Sequence, residues 1–594
     1  MPEESLWGNP HAIWPDGSPW PPPLADPEPI AERLRELLAE ADLNKKLLAG
    51  FLEVVDFAGS YSVTSIWDAR IEKKTPFRIL MENLQQLRKG PIEFDYSRKT
   101  HTLDKEVAQL FYKLMAHLVA TELDRALNQT RGIFRVLEQF EIIYQDWIRK
   151  KGKLTFDDSQ HLLAECATLY LDYRLDGKLD HWLFDEFQDT SDQQWKVFRN
   201  LVDEAIQDSE GEKSFFYVGD VKQAIYGWRG GNARLFGDIL EHYQELIEQV
   251  PLNTSYRSCP PIIDTVNRVF GQLPAPEFYA EVRARWSDIW QKHETAGANL
   301  NLSGHVAILE PKSREGEKPD EADRFELVAN LLKEIDPIQR GISVGVLVRT
   351  NARGHRLVDI LRRHGLLVYH EGHATIIDNP VVSALLSLVR FAAHPGDNLA
   401  WRHLQMTPFE QVFKKRKASR NFLALDLLTR LEKDGIQGLI RYWGRLLQKT
   451  VELDAFGLRR LQDLLDAAAA FDATGSRDIN EFLAFMDEFQ VQELAAESAV
   501  RVMTIHQSKG LGFDLVILPD LQDVRYKGML GGGPVGLTVV HRGEDEQGGA
   551  GWALKMPRRV ISEADPVLAR RVREFDMESC FDQLCVVYVA MTRA

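Results

Sequence analysis

"HWLFDEFQDTSDQQW", residues 181–195, runs from an apolar segment straight into acid. His181 to Phe184 reads as the end of a buried strand. Asp185, Glu186 and Asp189 then crowd together, with Gln188 before the last of them. Carboxylates at a strand end hold a metal, serve as a catalytic base, or cap the next helix. In open α/β sheets ligands bind outside the carboxyl ends of strands. An Asp there can hold Mg²⁺, and the adjacent Glu can orient or deprotonate water. Asp189, Thr190 or Ser191 can equally well cap a helix over Gln193–Ile206. The stretch by itself leaves the choice open.

A second apolar strand ends in the same manner at "FFYVGDVKQAIYGWRGGN", residues 215–232. Gly219-Asp220 follows the strand, and then come Gln223, Tyr226, Trp228 and Arg229. A Gln can sense a terminal phosphate by hydrogen bonding. A Trp beside an Arg makes a stacking platform for a base, and the glycines on either side favour a loop over a core position for Trp228. Further on, Arg257 follows Tyr256 in "LNTSYRS". Thr504 to Gly510 in "VRVMTIHQSKGLGFDLVILPDL" forms a polar insert before a strand, and "CVVYVAMTRA" reads as a buried strand delivering Thr592 and Arg593. The ordinary reading of an Arg after a strand is a surface ion pair.

The 594 residues are too many for one core and imply several domains. Hydrophobic residues make up 44% and charged residues 27%, as in a globular protein. No apolar run reaches the length of a membrane span, and the N-terminus lacks the pattern of a signal peptide. Cys166, Cys259, Cys580 and Cys585 show no zinc spacing, and so few cysteines fit a reducing cytoplasm. A net charge of −16 gives no global attraction to nucleic acid, but leaves room for a local basic channel. The run Lys414-Lys415-Arg416-Lys417 reads as a solvated helix face. His364, His370 and His373 do not have the HExxH spacing of a zinc site.

Helical periodicity dominates Pro29–Val55, Asp104–Asn128 and Ile133–Lys150. Short apolar runs then predict buried strands at Trp182–Phe184, Phe215–Val218, Val306–Leu309, Val344–Val348, Leu515–Leu518 and Cys585–Val589. Helices at Gln193–Ile206 and Asp323–Glu334 separate several of them, so the fold class is α/β with parallel sheets. Residues 380–495 return to helix and read as an inserted domain. The Gly-rich patch 528–536 reads as a loop.

In order along the chain, "LFDEFQDTS", "VGDVKQAIYGWRG", "SYRS", "MTIHQSKGLGFD" and "VYVAMTRA" resemble motifs II to VI of UvrD/Rep-type superfamily 1 DNA helicases, with wording closest to the AddA/RecB branch. "LTFDDSQHLL", 154–163, also resembles the stretch before motif II. The resemblance implies two RecA-like parallel-sheet domains, the first incomplete, with helical insertions. A helical 1B-like region would cover 1–150, and domain 1A would cover 151–275. Domain 2A would cover 276–385 and 496–594, interrupted by a 2B-like insertion at 386–495. It also implies ATP and Mg²⁺, bound between the two RecA-like domains. By similarity Asp185 coordinates Mg²⁺, Glu186 activates water, Gln223 contacts the γ-phosphate and Tyr256 stacks on adenine. Arg257 and Arg593 act as arginine fingers, and Lys509 lies near the phosphates. Trp228 and Arg229 stack on bases, and Thr504 and His506 touch single-stranded DNA. The implied activity is 3′-to-5′ translocation on single-stranded DNA at duplex junctions, in break repair and recombination. A second helicase–nuclease subunit is the implied partner.

The chain departs from the family in two places. No G-x-x-x-x-G-K-[ST] loop, whose backbone N–H groups and Lys hold phosphates, occurs anywhere in it. The chain also stops one residue past Arg593. Both features lead to the expectation of a piece of a longer gene, inactive by itself. The competing expectation is a non-catalytic DNA-binding scaffold derived from such a helicase. Gly512 stands where the family usually has a Glu that touches the nucleotide sugar, which puts nucleotide selectivity in question.

Overall fold

A computed structural model of the chain describes residues 4–41, 43–166, 179–208, 210–244, 246–274, 279–312, 319–371, 373–377, 379–416, 419–453, 455–492, 500–521, 536–540 and 551–594. Lys417 and all of the Gly-rich patch except Gly536 lie outside these residues, as do the side chains of Cys166 and His373. Among the described residues no helix is long and apolar enough to cross a membrane.

The chain divides into two compact units. The first comprises residues 1–256, 263–300 and 523–589, and the second 257–262, 301–522 and 590–594. The N-terminal part of the first unit is helical, built on Glu28–Glu40, Lys45–Gly59 and the 43-residue helix Lys105–Trp147. That long helix joins the two expected around Asn128 and Ile133, because a lone Gly132 costs a helix only about 1 kcal/mol. Leu34, Phe51, Phe111 and Leu118 share one core with Trp552, Leu554, Ile561 and Leu568. Residues 523–589, read from sequence with the later RecA-like half, thus pack into the first unit.

Two strands carry the first carboxylate cluster: β1, His181–Phe184, and β2, Ser214–Tyr217, paired in parallel from His181↔Ser214 to Phe184↔Tyr217. Trp182, Phe184, Phe215 and Tyr217 face a core formed with Phe187, Trp195 and Val202. The helix Asp192–Ile206 starts with a capping box, in which Ser191 Oγ accepts the Gln194 N–H and Gln194 Oε1 accepts the Ser191 N–H.

The second unit holds a four-stranded parallel sheet made of β3, Val344–Val348; β4, Val368–His370; β5, Val500–Thr504; and β6, Leu515–Ile517. Its order is β6-β3-β5-β4. Every residue of β3 is buried, as a central parallel strand requires. The helices Glu321–Ile335 and Asn351–Arg363 pack on this sheet through Phe325, Leu332, Leu357 and Leu361. Residues 380–489 form a separate helical core around Leu385, Trp443, Leu464 and Phe482.

Two expected strands are corrected. Val306–Leu309 lies in no regular element, and Ile308 is fully exposed, so this apolar run has no partner strand. Cys585–Val589 belongs to the helix Pro566–Met591. Leu568, Val572, Phe581, Cys585 and Val589 are buried along it, and packing over about seven turns outweighs the strand preference of a short Val-rich run.

Candidate nucleotide and nucleic-acid site

Capping is settled by Ser191 and Gln194, which leaves Asp185 and Glu186 to the strand end. Asp185 is exposed, and its Oδ1 accepts the Glu186 N–H at 2.8 Å. Glu186 takes φ 50° and ψ 40°, a left-handed conformation that costs a non-glycine residue about 1–3 kcal/mol. The following residue holds it there. Phe187 N–H donates to Val218 C=O at 3.0 Å, and its buried ring lies edge-on to Phe184, Trp195 and Tyr217.

The residue that sequence reading missed is Gln188, which is 1% exposed. Its Nε2 donates to Glu186 Oε2 at 2.5 Å, and its Oε1 accepts the Asp220 N–H at 3.0 Å. Gly219 is obligatory here, because a Cβ on it would lie 2.1 Å from Gln188 Oε1. Asp220 in turn holds the next loop. Its carboxylate accepts the Lys222 N–H at 3.0 Å and Gln223 Nε2 at 3.1 Å, and it pairs with Lys222 Nζ at 2.7 Å. Glu186 and Gln223, placed together on sequence grounds, are therefore joined by a continuous hydrogen-bonded chain.

The loop beyond is anchored to the first cluster. Asn232 N–H donates to Thr190 C=O at 2.9 Å, and Ser191 forms a bridge with Gly231. Trp228 is 68% exposed, with the Arg229 guanidinium 4.7 Å from its ring centre. A large exposed aromatic beside a cation suits base stacking. Tyr256 is also exposed, and its carbonyl accepts from Asn299 Nδ2 at 2.9 Å.

The other predicted residues meet in the second unit. Arg257 Nη1 donates to Thr592 C=O at 3.3 Å, and Arg593 C=O accepts the Phe513 N–H at 2.9 Å. A Cβ on Gly512 would lie 3.1 Å from Arg257 Nε, so the missing family Glu leaves space that the arginine stem takes. Arg257 is exposed, whereas Arg593 is 4% exposed, with Nη2 donating to Thr592 Oγ1 at 3.1 Å. Thr504, expected to touch a strand, is buried. Its hydroxyl donates to Gln507 Oε1 at 2.9 Å and so closes the turn after β5. His506 and Lys509 are half-buried on that turn, which ends in Gly510 at φ 81°.

The histidine group is dispersed. His364 Nε2 lies 2.6 Å from Glu326, and His370 is buried with neither ring nitrogen hydrogen-bonded. Burial, with help from nearby His355 and Arg362, lowers the His370 pKa to about 4. Among the described residues no three His, Cys, Asp or Glu side chains cluster as metal ligands. The exposed Asp185 carboxylate nonetheless suits a hard cation that keeps several waters of its own. In "LTFDDSQHLL", Asp158 is buried and acts locally. The Thr155 N–H and the Tyr144 hydroxyl, joined by Arg149, hold its pKa well below the usual carboxylate range.

Residues 51–244 match the UvrD/REP helicase N-terminal domain, and residues 440–594 match the UvrD-like helicase C-terminal domain, together more than half of the chain. The chain belongs to the UvrD/Rep helicase family. Curated relatives, each named as one subunit of an ATP-dependent helicase/nuclease, share lower identity with it. The protein from Carboxydothermus hydrogenoformans is 24% identical over 532 residues, covering 78% of this chain and 44% of the relative. That of Bacillus pumilus is 24% identical over 518 residues, covering 74% and 40%. That of Bacillus cereus is 21% identical over 673 residues, covering 96% and 51%. This helicase-family chain thus spans about half or less of the length of these relatives.

Proposed function

We propose that the chain is the motor part of a DNA helicase that couples ATP hydrolysis to 3′-to-5′ movement on single-stranded DNA in double-strand-break repair. The observation that carries this reading is the strained Asp185–Glu186 turn tied through Gln188 and Asp220 to Gln223. A turn that serves only as a helix start gains nothing from such a link, because Ser191 already caps the helix.

In this reading Asp185 holds the Mg²⁺ of the nucleotide, which supplies charge neutralisation at the phosphates. Glu186 accepts a proton from the attacking water, and Gln223 senses the terminal phosphate. Tyr256 stacks on adenine, and Lys509, Arg257 and Arg593 supply positive charge for the transferred group. Trp228 and Arg229 stack on bases of the strand, and His506 contacts it. Thr504 is left out, since its hydroxyl is engaged with Gln507. The likeness to helicase/nuclease proteins supports a soluble cytoplasmic assembly with a second helicase–nuclease subunit.

Hydrolysis also needs a phosphate-binding loop, and residues 1–594 contain no G-x-x-x-x-G-K-[ST] sequence. The same observation favours a second reading, a DNA-binding scaffold without turnover. Unwinding assays of the native protein on 3′-tailed and 5′-tailed duplexes with ATP separate the two. The helicase reading expects unwinding of the 3′-tailed substrate alone. DNA binding with no ATP-dependent unwinding of either substrate would leave the scaffold.

A further inference from the structure

We infer that Gln188 is a positioning residue that makes the orientation of the Glu186 carboxylate depend on the Asp220–Gln223 loop. The inference rests on the roles proposed above for Glu186 and Gln223. Its geometry does not depend on them.

Gln188 is buried, and both ends of its amide are used. Nε2 donates to Glu186 Oε2 at 2.5 Å, while Oε1 accepts the Asp220 N–H at 3.0 Å. A primary amide that donates at one end and accepts at the other polarises along its length, so each bond strengthens its neighbour. The donor to Glu186 is also charge-assisted, the stronger class of hydrogen bond. It aims a carboxylate whose backbone is already held at φ 50°. Asp220 is the hinge of the arrangement. Its N–H belongs to the Gln188 bond, and its carboxylate takes the Gln223 side chain at 3.1 Å. A pull on Gln223 therefore reaches Asp220 first, then the Gln188 amide, then the base.

The chain leaves little freedom for another arrangement. The absence of a Cβ at Gly219 provides the space for Gln188 Oε1, with 2.1 Å between that oxygen and where the Cβ would sit. Phe187 N–H is fixed to Val218 C=O at 3.0 Å, so the two strand ends cannot slide apart independently. Gln188 touches neither phosphate nor water in this scheme; it acts only by setting where Glu186 points.

Two variants test this, Gln188→Leu, which keeps the volume and removes both bonds, and Gly219→Ala, which leaves Gln188 in place and pushes its amide aside. Both are made in the native protein, with a thermal melt to check folding. The first readout is hydrogen exchange of the 218–223 amides, which needs no turnover. Both variants should speed exchange at Asp220 about tenfold or more, while the amides of 196–206 keep wild-type protection. Unchanged exchange at Asp220 would overturn the inference. The second readout is DNA-stimulated ATP hydrolysis. Misplacement of a catalytic group by about 1 Å costs on the order of 100-fold, so kcat should fall about 10- to 100-fold with KM for ATP little changed. Gln188→Glu, which restores size but cannot donate to Glu186 as a carboxylate, should not rescue kcat. Wild-type kcat in Gln188→Leu, or a loss confined to KM, would overturn the inference. A wild-type protein without hydrolysis would instead fail the proposed function, and the exchange result would still decide the link.

Discussion

Asp565 offers a direct test of how the N-terminal segment is held. Its carboxylate is fully buried and accepts four N–H groups. Trp14 Nε1 reaches it at 3.1 Å and Trp20 Nε1 at 3.0 Å, while the Val567 and Leu568 amides, each at 3.0 Å, begin the last long helix. Asp565→Ala strands two buried indole donors, each at about 1–3 kcal/mol, and removes a helix cap worth about 1 kcal/mol. Neighbouring losses do not add fully, so a total of about 4 kcal/mol is expected. At about 1.4 kcal/mol per factor of ten, local opening of residues 5–27 should become roughly 1,000-fold more frequent. Native-state proteolysis with a protease that cuts after Trp reads this directly, because cleavage near Trp14 and Trp20 tracks the open population. Asp565→Asn keeps one acceptor oxygen and should fall between the two. Wild-type cleavage kinetics for Asp565→Ala would refute the argument that this carboxylate anchors the segment.

Three further outcomes follow from the site and its surroundings. Removal of the exposed Trp228 ring by Trp228→Ala should weaken single-stranded DNA binding by about 1–3 kcal/mol, while Trp228→Phe keeps most of it; oligonucleotide anisotropy measures both, and equal affinities would remove Trp228 from the interface. His370 is neutral when folded, with its pKa lowered to about 4 by burial, so the unfolded chain binds more protons as pH falls from about 6.5 toward 4. The second unit should lose about 2 kcal/mol between pH 7 and 5, and urea titrations of His370→Leu should show a smaller loss; an identical pH slope would contradict the burial argument. In a polypeptide that includes a phosphate-binding loop, Glu186→Gln should abolish turnover and keep ATP binding, and normal hydrolysis would end the role given to Glu186.

Much of the candidate site was legible because its residues follow strand ends. An apolar run broken by acid marks where a parallel strand stops, and both Phe184-Asp185 and Tyr217-Val218-Gly219 followed that rule. The helix start at Ser191 was legible as a choice among three caps. Gln188 was not, because its role exists only once two strand ends separated in sequence lie side by side. Cys585–Val589 was misread because five apolar residues carry no period long enough to separate strand from buried helix. The join of residues 523–589 to the N-terminal core was invisible for a related reason: the partners of Trp552 and Leu568 lie more than four hundred residues away. Thr504 looked available from its place after a strand, but its hydroxyl serves the turn that it begins.

The central claim is that this chain carries the metal-binding, water-activating and arginine parts of a helicase ATPase but not its phosphate loop. The most direct measurement is ATP hydrolysis by the 594-residue chain alone, with and without single-stranded DNA, beside its Glu186→Gln variant. The account predicts hydrolysis at background for both proteins. Robust DNA-stimulated hydrolysis by the unmodified chain, abolished by Glu186→Gln, would contradict it.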